Sequence, residues 1–264
     1  MFVLINLRTV VWEVTKALIS DCTKMHGVTV PRVKLFVNML SQPARMVLML
    51  CELAKVPYEK SIVQLDKGEQ QSPEFLKVNP NGMIPALQCL KDPNFTVFES
   101  TSILRYLHNL YPQETKALWL DSNPAHMEEF FNYYHTSLRK ITEHFRAAFL
   151  WSRSPDGPEL TKRYGADLEA FTTVHLQALG PAIHKYSCQT GKITAADIVI
   201  LCEVMQLNCS GFPADKLPQE FRTVTLQKFK SDPQAYKIAR DLHTVVEKMC
   251  AKRKYVYWLD QSFV

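Results

Sequence analysis

The chain has 264 residues, of which 47% are hydrophobic and 22% are charged, and these proportions are ordinary for a globular protein. A chain of this length can bury a large core, so its fold requires neither disulfides nor a structural metal. The net charge is +5, but lysine and arginine are scattered, and the longest basic run is Lys252 to Lys254. That run is too short to indicate nucleic-acid binding, and no apolar stretch approaches the roughly 20 residues of a membrane-spanning helix.

The cysteines and histidines give no sign of a metal or disulfide framework. The seven cysteines form no CxxC pair, and the eight histidines occur in no HExxH motif or mixed Cys/His cluster. Metal sites in proteins need such closely spaced ligands. The sequence therefore predicts reduced, buried thiols in a cytosol-like compartment and no bound metal.

Residues 1–30 form an N-terminal extension with an apolar stripe at helical spacing. The stripe consists of Leu7, Val10, Val11, Val14, Ala17 and Leu18. This pattern predicts either an amphipathic docking helix or a mitochondrial targeting segment, although Glu13 and Asp21 are atypical of a presequence. The predicted location is cytoplasmic, with a mitochondrial location as the alternative.

Residues 31–111 alternate between strand and helix patterns. Ser41, Gln42 and Pro43 start the first helix, because a serine N-cap with proline in the first turn is a strong helix-start signal. The predicted elements are a strand at 33–37, this helix, a strand at 58–65, a short helix at 73–77, strands at 85–90 and 95–98, and a helix at 99–111. The order βαβαββα indicates a small α/β domain with a mixed sheet.

After a predicted linker at 112–123, the strand pattern almost disappears. The next helix carries apolar residues at helical spacing from Met127 to Phe145, and another is predicted at about 159–179. A third helix begins at Thr194, where Thr194 and Asp197 form a variant of the capping box. At least one more helix follows Asp232, so that residues 124–264 are predicted to form an all-α domain.

Six segments carry distinctive motifs: Leu40 to Arg45, Lys67 to Glu69, Ser72 to Pro80, Ile84 to Leu87, Glu99 to Leu107 and Tyr134 to Arg139. Together they resemble the glutathione S-transferase family, closest to its theta-like, serine-dependent branch. They occur in the family's order and spacing over roughly residues 33–210. The resemblance implies a thioredoxin-like glutathione-binding domain followed by the all-helical domain, and conjugation of glutathione to small hydrophobic electrophiles.

The resemblance also assigns roles to individual residues. Ser41 and Arg139 become the catalytic residues, Ser41 as hydrogen-bond donor to the glutathione sulfur and Arg139 as a nearby cation. The implied glutathione-binding residues are Gln42, Gln70, Gln71, Met83, Ile84, Pro85, Glu99 and Ser100. Pro85 suits a cis peptide bond. The candidate electrophile pocket consists of Met127, Phe130, Tyr133 and Tyr134, although residues of this kind at helical spacing are more often core.

Physical chemistry supports the role of Ser41 without deciding it. Glutathione reacts as its thiolate, and a free thiol with a pKa of about 8.5 is only a few per cent ionised at neutral pH. A hydroxyl at a helix N-terminus can donate a hydrogen bond to the sulfur, and the helix dipole favours the negative charge. The alternative is that Ser41 is only an N-cap, and for Arg139 the alternative is a surface arginine.

Two departures from the family leave a second function open. Theta and delta enzymes commonly have histidine or lysine where Gln70 stands, and delta enzymes have histidine where Gly82 stands, so capture of the glycyl carboxylate is weakened. The alternative function is a non-catalytic, glutathione-transferase-like subunit of a larger assembly, mitochondrial in that case. The expected partners are glutathione, a hydrophobic electrophile, and a second copy or a similar chain in a dimer.

Overall fold

The computed structural model describes residues 30–120, 123–142, 147, 154–188, 191–210, 212–222 and 227–250. Residues 1–29, almost all of the predicted N-terminal extension, lie outside these ranges, as does the chain after Cys250. The expectation of a docking or targeting helix therefore falls outside the described residues.

The described strands form a mixed sheet of four, with spatial order β2-β1-β3-β4. The strands are β1 (Val33–Val37), β2 (Glu59–Ile62), β3 (Ala86–Cys89) and β4 (Thr96–Phe98). Strand β1 pairs in parallel with β2 and antiparallel with β3, which pairs antiparallel with β4. Side chains along β1 alternate between fully and partly buried, as expected for a central strand. This arrangement confirms the predicted mixed sheet.

Helix α1 (Gln42–Ala54) starts where the sequence predicts. The N-cap Ser41 accepts a hydrogen bond from the Ala44 amide over 3.3 Å, and Pro43 occupies the first turn. The helix ends at Lys55, whose φ of 54° is left-handed. Two more helices complete the α/β half: α2 (Pro73–Leu76) and α3 (Ser100–Leu110).

The second half is helical, and no strand follows Phe98 in the described ranges. Its helices are α4 (Pro112–Thr115), α5 (Pro124–Thr136), α6 (Gly157–Ile183), α7 (Ala195–Ser210), α8 (Gln219–Phe221), α9 (Lys228–Ser231) and α10 (Pro233–Cys250). Single turns of 3₁₀ helix occur at Leu65–Lys67, Glu69–Gln71, Lys116–Leu118, Leu138–Lys140 and Ala214–Lys216. The predicted sequence of an α/β half followed by an all-α half is confirmed.

Helix α6 is longer than predicted. Gly180 and Pro181 favour an end near Leu179, yet the helix continues through both residues to Ile183. Gly180 lies against Glu220, whose carboxylate would be 3.3 Å from a Cβ at this position, so the missing side chain lets the segment containing Glu220 approach. Tertiary packing thus overrides the local helix-breaking signal.

Helix α7 begins with the predicted capping box. Asp197 Oδ2 accepts a hydrogen bond from the Thr194 amide over 2.7 Å, and the Asp197 amide donates to Thr194 Oγ1 over 3.4 Å. Lys228 adds an ion pair to Asp197 at 3.1 Å and also donates to the Ser187 carbonyl. The start of α7 is therefore tied to the segments before and after it.

One hydrophobic core runs through both halves, because α1 packs against the sheet on one side and against α7 and α10 on the other. Arg45 of α1 is fully buried at this junction. Its Nη1 donates to the Met39 carbonyl over 2.6 Å, and its Nη2 donates to Gln206 Oε1 of α7. A buried guanidinium needs such partners, so Arg45 ties the N-terminus of α1 to the helical half.

The described residues bear on three expectations from the sequence, those for reactive thiols, metal-ligand clusters and membrane-spanning helices. Cys51 and Cys202 are free, buried thiols, and burial raises the pKa of Cys202 to about 12, so it stays protonated and unreactive. Over the same part of the chain, no three His, Cys, Asp or Glu side chains cluster as metal ligands. None of the described helices is both long and apolar enough to cross a bilayer.

Candidate functional site

Ser41 lies at the junction between β1 and α1, where local hydrogen bonds hold its backbone. The Ser41 amide donates to the Asn38 carbonyl over 3.0 Å, and the Asn38 side chain donates to the Val63 carbonyl over 2.8 Å. The Ser41 hydroxyl oxygen accepts from the Ala44 amide, while its proton is directed to the Ile84 carbonyl, 3.3 Å away. The hydroxyl is thus an N-cap whose proton remains available for donation.

The Ile84–Pro85 peptide bond is cis, in agreement with the expectation for Pro85. Asn79 shapes the approach to this bond: its Nδ2 donates to the Met83 carbonyl over 2.7 Å, and its carbonyl accepts from the Gly82 amide. Met83 is 56% exposed and Ile84 is half-buried. This loop presents the backbone around Ile84 directly beside the Ser41 hydroxyl.

Gln70, Gln71 and Gly82 surround the other end of the same loop. Gln71 Nε2 donates to the Gly82 carbonyl over 3.3 Å, and Gly82 has a φ of +60°. A Cβ at Gly82 would lie 2.4 Å from Gln71 Nε2 and the positive φ disfavours other residues, so glycine is preferred here. Gln70 Oε1 is buried and has no hydrogen-bond partner among the described residues. The side chains of Gln70 and Gln71 are neutral amides.

Glu99 and Ser100 lie where β4 leads into α3. Glu99 has a φ of 69°, which is uncommon for a residue other than glycine and is typical of functional sites. It occupies the N-cap position without making a side-chain capping bond, and it is exposed. Ser100 is buried at the first position of the helix. The Glu99 carboxylate is therefore not used for capping.

Next to this pair, Thr101 Oγ1 lies 2.9 Å from His135 Nε2 of α5. Burial lowers the pKa of His135, and the nearby Glu99 carboxylate opposes that effect. The contact joins the start of α3 to the helical half.

Arg139 is not a free surface arginine. Its Nη1 donates to Glu203 Oε1 over 2.8 Å, to Thr142 Oγ1 over 3.1 Å, and to Gln42 Oε1. Burial acts to lower the pKa of Arg139, but the Glu203 carboxylate and Tyr134 outweigh it, so the net pKa is raised and the guanidinium stays charged. The structure thus brings Arg139 to the residue that follows Ser41.

Gln42 is the link between these groups. It is 2% exposed, and its Oε1 accepts from Tyr134 Oη over 3.3 Å as well as from Arg139. Its Nε2 is buried without a partner among the described residues. The bonds to its Oε1 tie the first turn of α1 to Tyr134 and Arg139.

Three of the four residues predicted for the electrophile pocket lie in the hydrophobic core. Met127, Phe130 and Tyr134 are at most 1% exposed, which is the alternative role given to such residues from the sequence. Buried side chains of this kind do not offer a surface to a ligand. Tyr133 is half-buried and packs at the edge of the core, so it alone keeps exposed surface.

The sequence interpretation missed Glu203. It is the single charged residue in the apolar run from Ile198 to Leu207 of α7, and its side chain is fully buried. A lone carboxylate in such a run signals a buried partner, because an unpaired charge in a core is very costly. The pattern does not reveal the partner, which lies 64 positions away at Arg139.

Comparison with known proteins identifies similar chains. Residues 41–110 match the family model described as "Glutathione S-transferase, N-terminal domain". The chain is 33% identical over 189 residues to human glutathione S-transferase theta-1, an alignment that covers 65% of this chain and 72% of that protein.

Solved structures of glutathione transferases are also similar to this chain. The apo form of human glutathione S-transferase T1-1 superimposes with a TM-score of 0.65 and 25% identity, covering 83% of this chain and 91% of the other. Human glutathione transferase theta-2, solved in complex with glutathione and an unknown ligand, shares the fold with a TM-score of 0.62 and 20% identity, covering 85% of this chain and 92% of that one.

Proposed function

The chain belongs to the glutathione S-transferase family, and we propose that it activates the thiol of glutathione for attack on small hydrophobic electrophiles, with Ser41 as the activating group. In this reaction the sulfur forms a bond to an electrophilic carbon, the leaving group departs with its electron pair, and the thiol proton is released to solvent.

The observation that carries the proposal is the position of the Ser41 hydroxyl. Its oxygen accepts from the Ala44 amide, and its proton points to the Ile84 carbonyl over 3.3 Å, next to the cis peptide bond at Pro85. Because the Ser41 oxygen only accepts in the hydrogen bond from the Ala44 amide, the hydroxyl proton is free to turn toward a thiolate. The N-terminus of α1 adds an electrostatic field that favours the negative charge. A fall in the thiol pKa from about 8.5 to about 6.5 requires about 2.7 kcal/mol, which is within reach of these two effects.

The remaining groups suit the parts of glutathione. In the proposed complex the backbone of Ile84, held by cis Pro85, receives the cysteinyl part. Glu99 binds the γ-glutamyl ammonium, and the amide and hydroxyl of Ser100 bind its carboxylate. The Glu99 carboxylate is exposed and makes no capping hydrogen bond to α3, which supports that role.

Gln42, Gln70, Gln71 and Met83 complete the proposed binding site. Gln42 joins the start of α1 to Arg139, and Gln70 and Gln71 give neutral amides at the glycyl end. Arg139 stabilises developing negative charge near the sulfur, with a side chain that is 34% exposed. On the electrophile side we retain Tyr133, because the other three predicted pocket residues are core.

The names of the relatives favour the enzyme over the non-catalytic subunit. Under the same proposal, residues 31–111 form the glutathione-binding domain, 112–123 the linker and 124–264 the helical domain. We further propose that two copies pair through both domains around a two-fold axis, and that the protein works in the cytoplasm.

Replacement of Ser41 tests the proposal. We expect Ser41→Ala to raise the pKa of bound glutathione and to lower kcat by roughly 10- to 1000-fold, because the hydrogen bond to the thiolate is lost. Ultraviolet absorbance of the thiolate against pH measures the first effect, and conjugation to a panel of alkyl and aryl halides measures the second.

Ser72 offers a matched control, since its hydroxyl caps α2 by accepting from the Phe75 amide over 3.2 Å and proline again follows in the first turn. Ser72→Ala should cost about 1 kcal/mol of stability and leave the thiolate pKa unchanged. If Ser41→Ala behaves like Ser72→Ala, Ser41 is only a helix cap.

A further inference from the structure

Glu203 occupies a costly position. It lies on α7, is fully buried and is surrounded by apolar neighbours such as Cys202 and Val204. A buried ion pair contributes little to stability compared with well-packed apolar side chains, so its presence calls for another explanation. The contacts of Glu203 provide one.

Both carboxylate oxygens of Glu203 are used. Oε1 accepts from Arg139 Nη1 over 2.8 Å, and Oε2 accepts from Thr142 Oγ1 over 2.6 Å. Thr142 Oγ1 in turn lies 3.1 Å from Arg139 Nη1, so the three side chains close a ring of hydrogen bonds. A guanidinium bound in this way has one orientation, since rotation breaks two contacts at once.

The ring reaches the proposed catalytic serine through Gln42. The same Nη1 of Arg139 that contacts Glu203 also donates to Gln42 Oε1, and Gln42 directly follows Ser41. Tyr134 donates to the same oxygen over 3.3 Å. The polar chain therefore runs from the middle of α7 to the N-terminus of α1.

The two charged groups in this row of hydrogen bonds, Arg139 and Glu203, differ in exposure. Glu203 is fully buried, whereas the Arg139 side chain is 34% exposed, so the positive end of the pair lies on the open side. The contacts of Arg139 to Glu203, Thr142 and Gln42 are all made through its Nη1. Burial raises the pKa of Glu203, and Arg139 and Thr142 oppose that rise.

We propose that Glu203 is a positioning residue that acts through Arg139: it fixes the guanidinium, which also donates to Gln42 directly after Ser41, so that the cation faces the glutathione thiolate. The inference rests on the proposed function of Ser41. Without the carboxylate, Arg139 turns toward solvent through its exposed side, and the thiolate loses a nearby cation.

A double-mutant cycle tests this mechanism. We expect Glu203→Gln to raise the pKa of the bound glutathione thiol and to lower kcat/KM by about tenfold, similar to Arg139→Ala. Because both changes remove the same oriented cation, the double variant should fall within about twofold of Arg139→Ala alone. Effects that multiply would overturn the proposal, since Glu203 would then act independently of Arg139.

A control separates this effect from the loss of any ion pair. Arg105 and Glu128 form another arginine–glutamate pair, between α3 and α5, outside the proposed site. Glu128→Gln should leave the thiolate pKa unchanged. A shift of equal size in Glu128→Gln and Glu203→Gln would overturn a specific role for Glu203.

Two further outcomes are informative. If Glu203→Gln does not fold, Glu203→Leu combined with Arg139→Met replaces the pair by apolar side chains, and circular dichroism should show a folded protein. The proposal then requires a thiolate pKa as high as in Arg139→Ala, and a wild-type pKa would overturn it.

If Ser41→Ala raises the thiolate pKa but Glu203→Gln does not, only the positioning role fails. If neither variant changes the thiolate pKa, the proposed function is refuted as well.

Discussion

The glycyl end of the proposed glutathione site should be weak, and Gln70→His should strengthen it. Gln70 Oε1 is buried without a partner among the described residues, and the neighbouring Gln71 amide is occupied by the Gly82 carbonyl. The wild-type site thus offers no charged group of its own to the glycyl carboxylate at these positions. An imidazolium at position 70 would supply one charge-assisted hydrogen bond.

The expected gain follows from one such bond. At a net value of about 1.4 kcal/mol, the affinity for glutathione rises about tenfold. With an imidazole pKa of about 6.5, roughly three quarters of the side chain is charged at pH 6 and only a few per cent at pH 8. The bound carboxylate raises the pKa of the imidazole, so the gain is full at low pH and disappears as the pH rises through that value.

Calorimetric titration of both proteins with glutathione at pH 6 and pH 8 measures this effect. Gln113→His adds the same side chain at an exposed position on α4 and should change neither affinity. An equal gain at both pH values would refute the charge argument. Tight binding by the wild type would mean that another group, such as Lys67, already holds the carboxylate.

Two further predictions concern stability. Gly82→Ala should lower the free energy of unfolding by about 1–2 kcal/mol, because φ is +60° and a Cβ would lie 2.4 Å from Gln71 Nε2. Gly68 has a φ of +72° but no neighbour within 4 Å of such a Cβ, so Gly68→Ala should lower the free energy of unfolding by less. Urea denaturation of both variants measures the difference. Burial lowers the pKa of His243 to about 3, so the unfolded chain takes up a proton at a pH where the folded chain does not. The contribution of His243 to stability is therefore complete above about pH 6.5 and is lost progressively as the pH falls toward about 3. Replacement of His243 by leucine should flatten that decline in acid denaturation, and an unchanged slope would show that other groups cause it.

Most of the α/β half is readable from the sequence because its signals are local. Ser41 and Pro43 mark the start of α1, and Pro85 lies at the cis bond, as expected. Element ends are less exact: the strand predicted at 58–65 spans only Glu59–Ile62, because the neighbouring β1 is too short to pair with more. The breaker signal at Gly180 fails for a similar reason, since a tertiary contact with Glu220 decides the outcome.

The interior of the site is not readable in the same way. Ser41 Oγ meets the Ile84 carbonyl across 43 positions, Arg139 meets Glu203 across 64, and Arg45 meets Gln206 across 161. No local period links such partners. The apolar residues of α5 show a second limit, because a helical stripe of such residues is equally compatible with a core and with a ligand pocket. In the structure, Met127 and Phe130 belong to the core.

The long-range polar contacts have a common location, which suggests what they do. Arg45 and Gln206 join the first helix to α7, and Gln42, Arg139 and Glu203 do the same one turn closer to Ser41. Apolar packing alone tolerates sliding and rotation between helices, whereas paired buried polar groups must keep their partners or pay a desolvation cost. The helix that carries Ser41 is therefore held in one rotational setting by α7. A serine whose hydroxyl must face a sulfur atom needs that setting, because an error of about 1 Å in a reacting group is enough to cost about a hundredfold in rate.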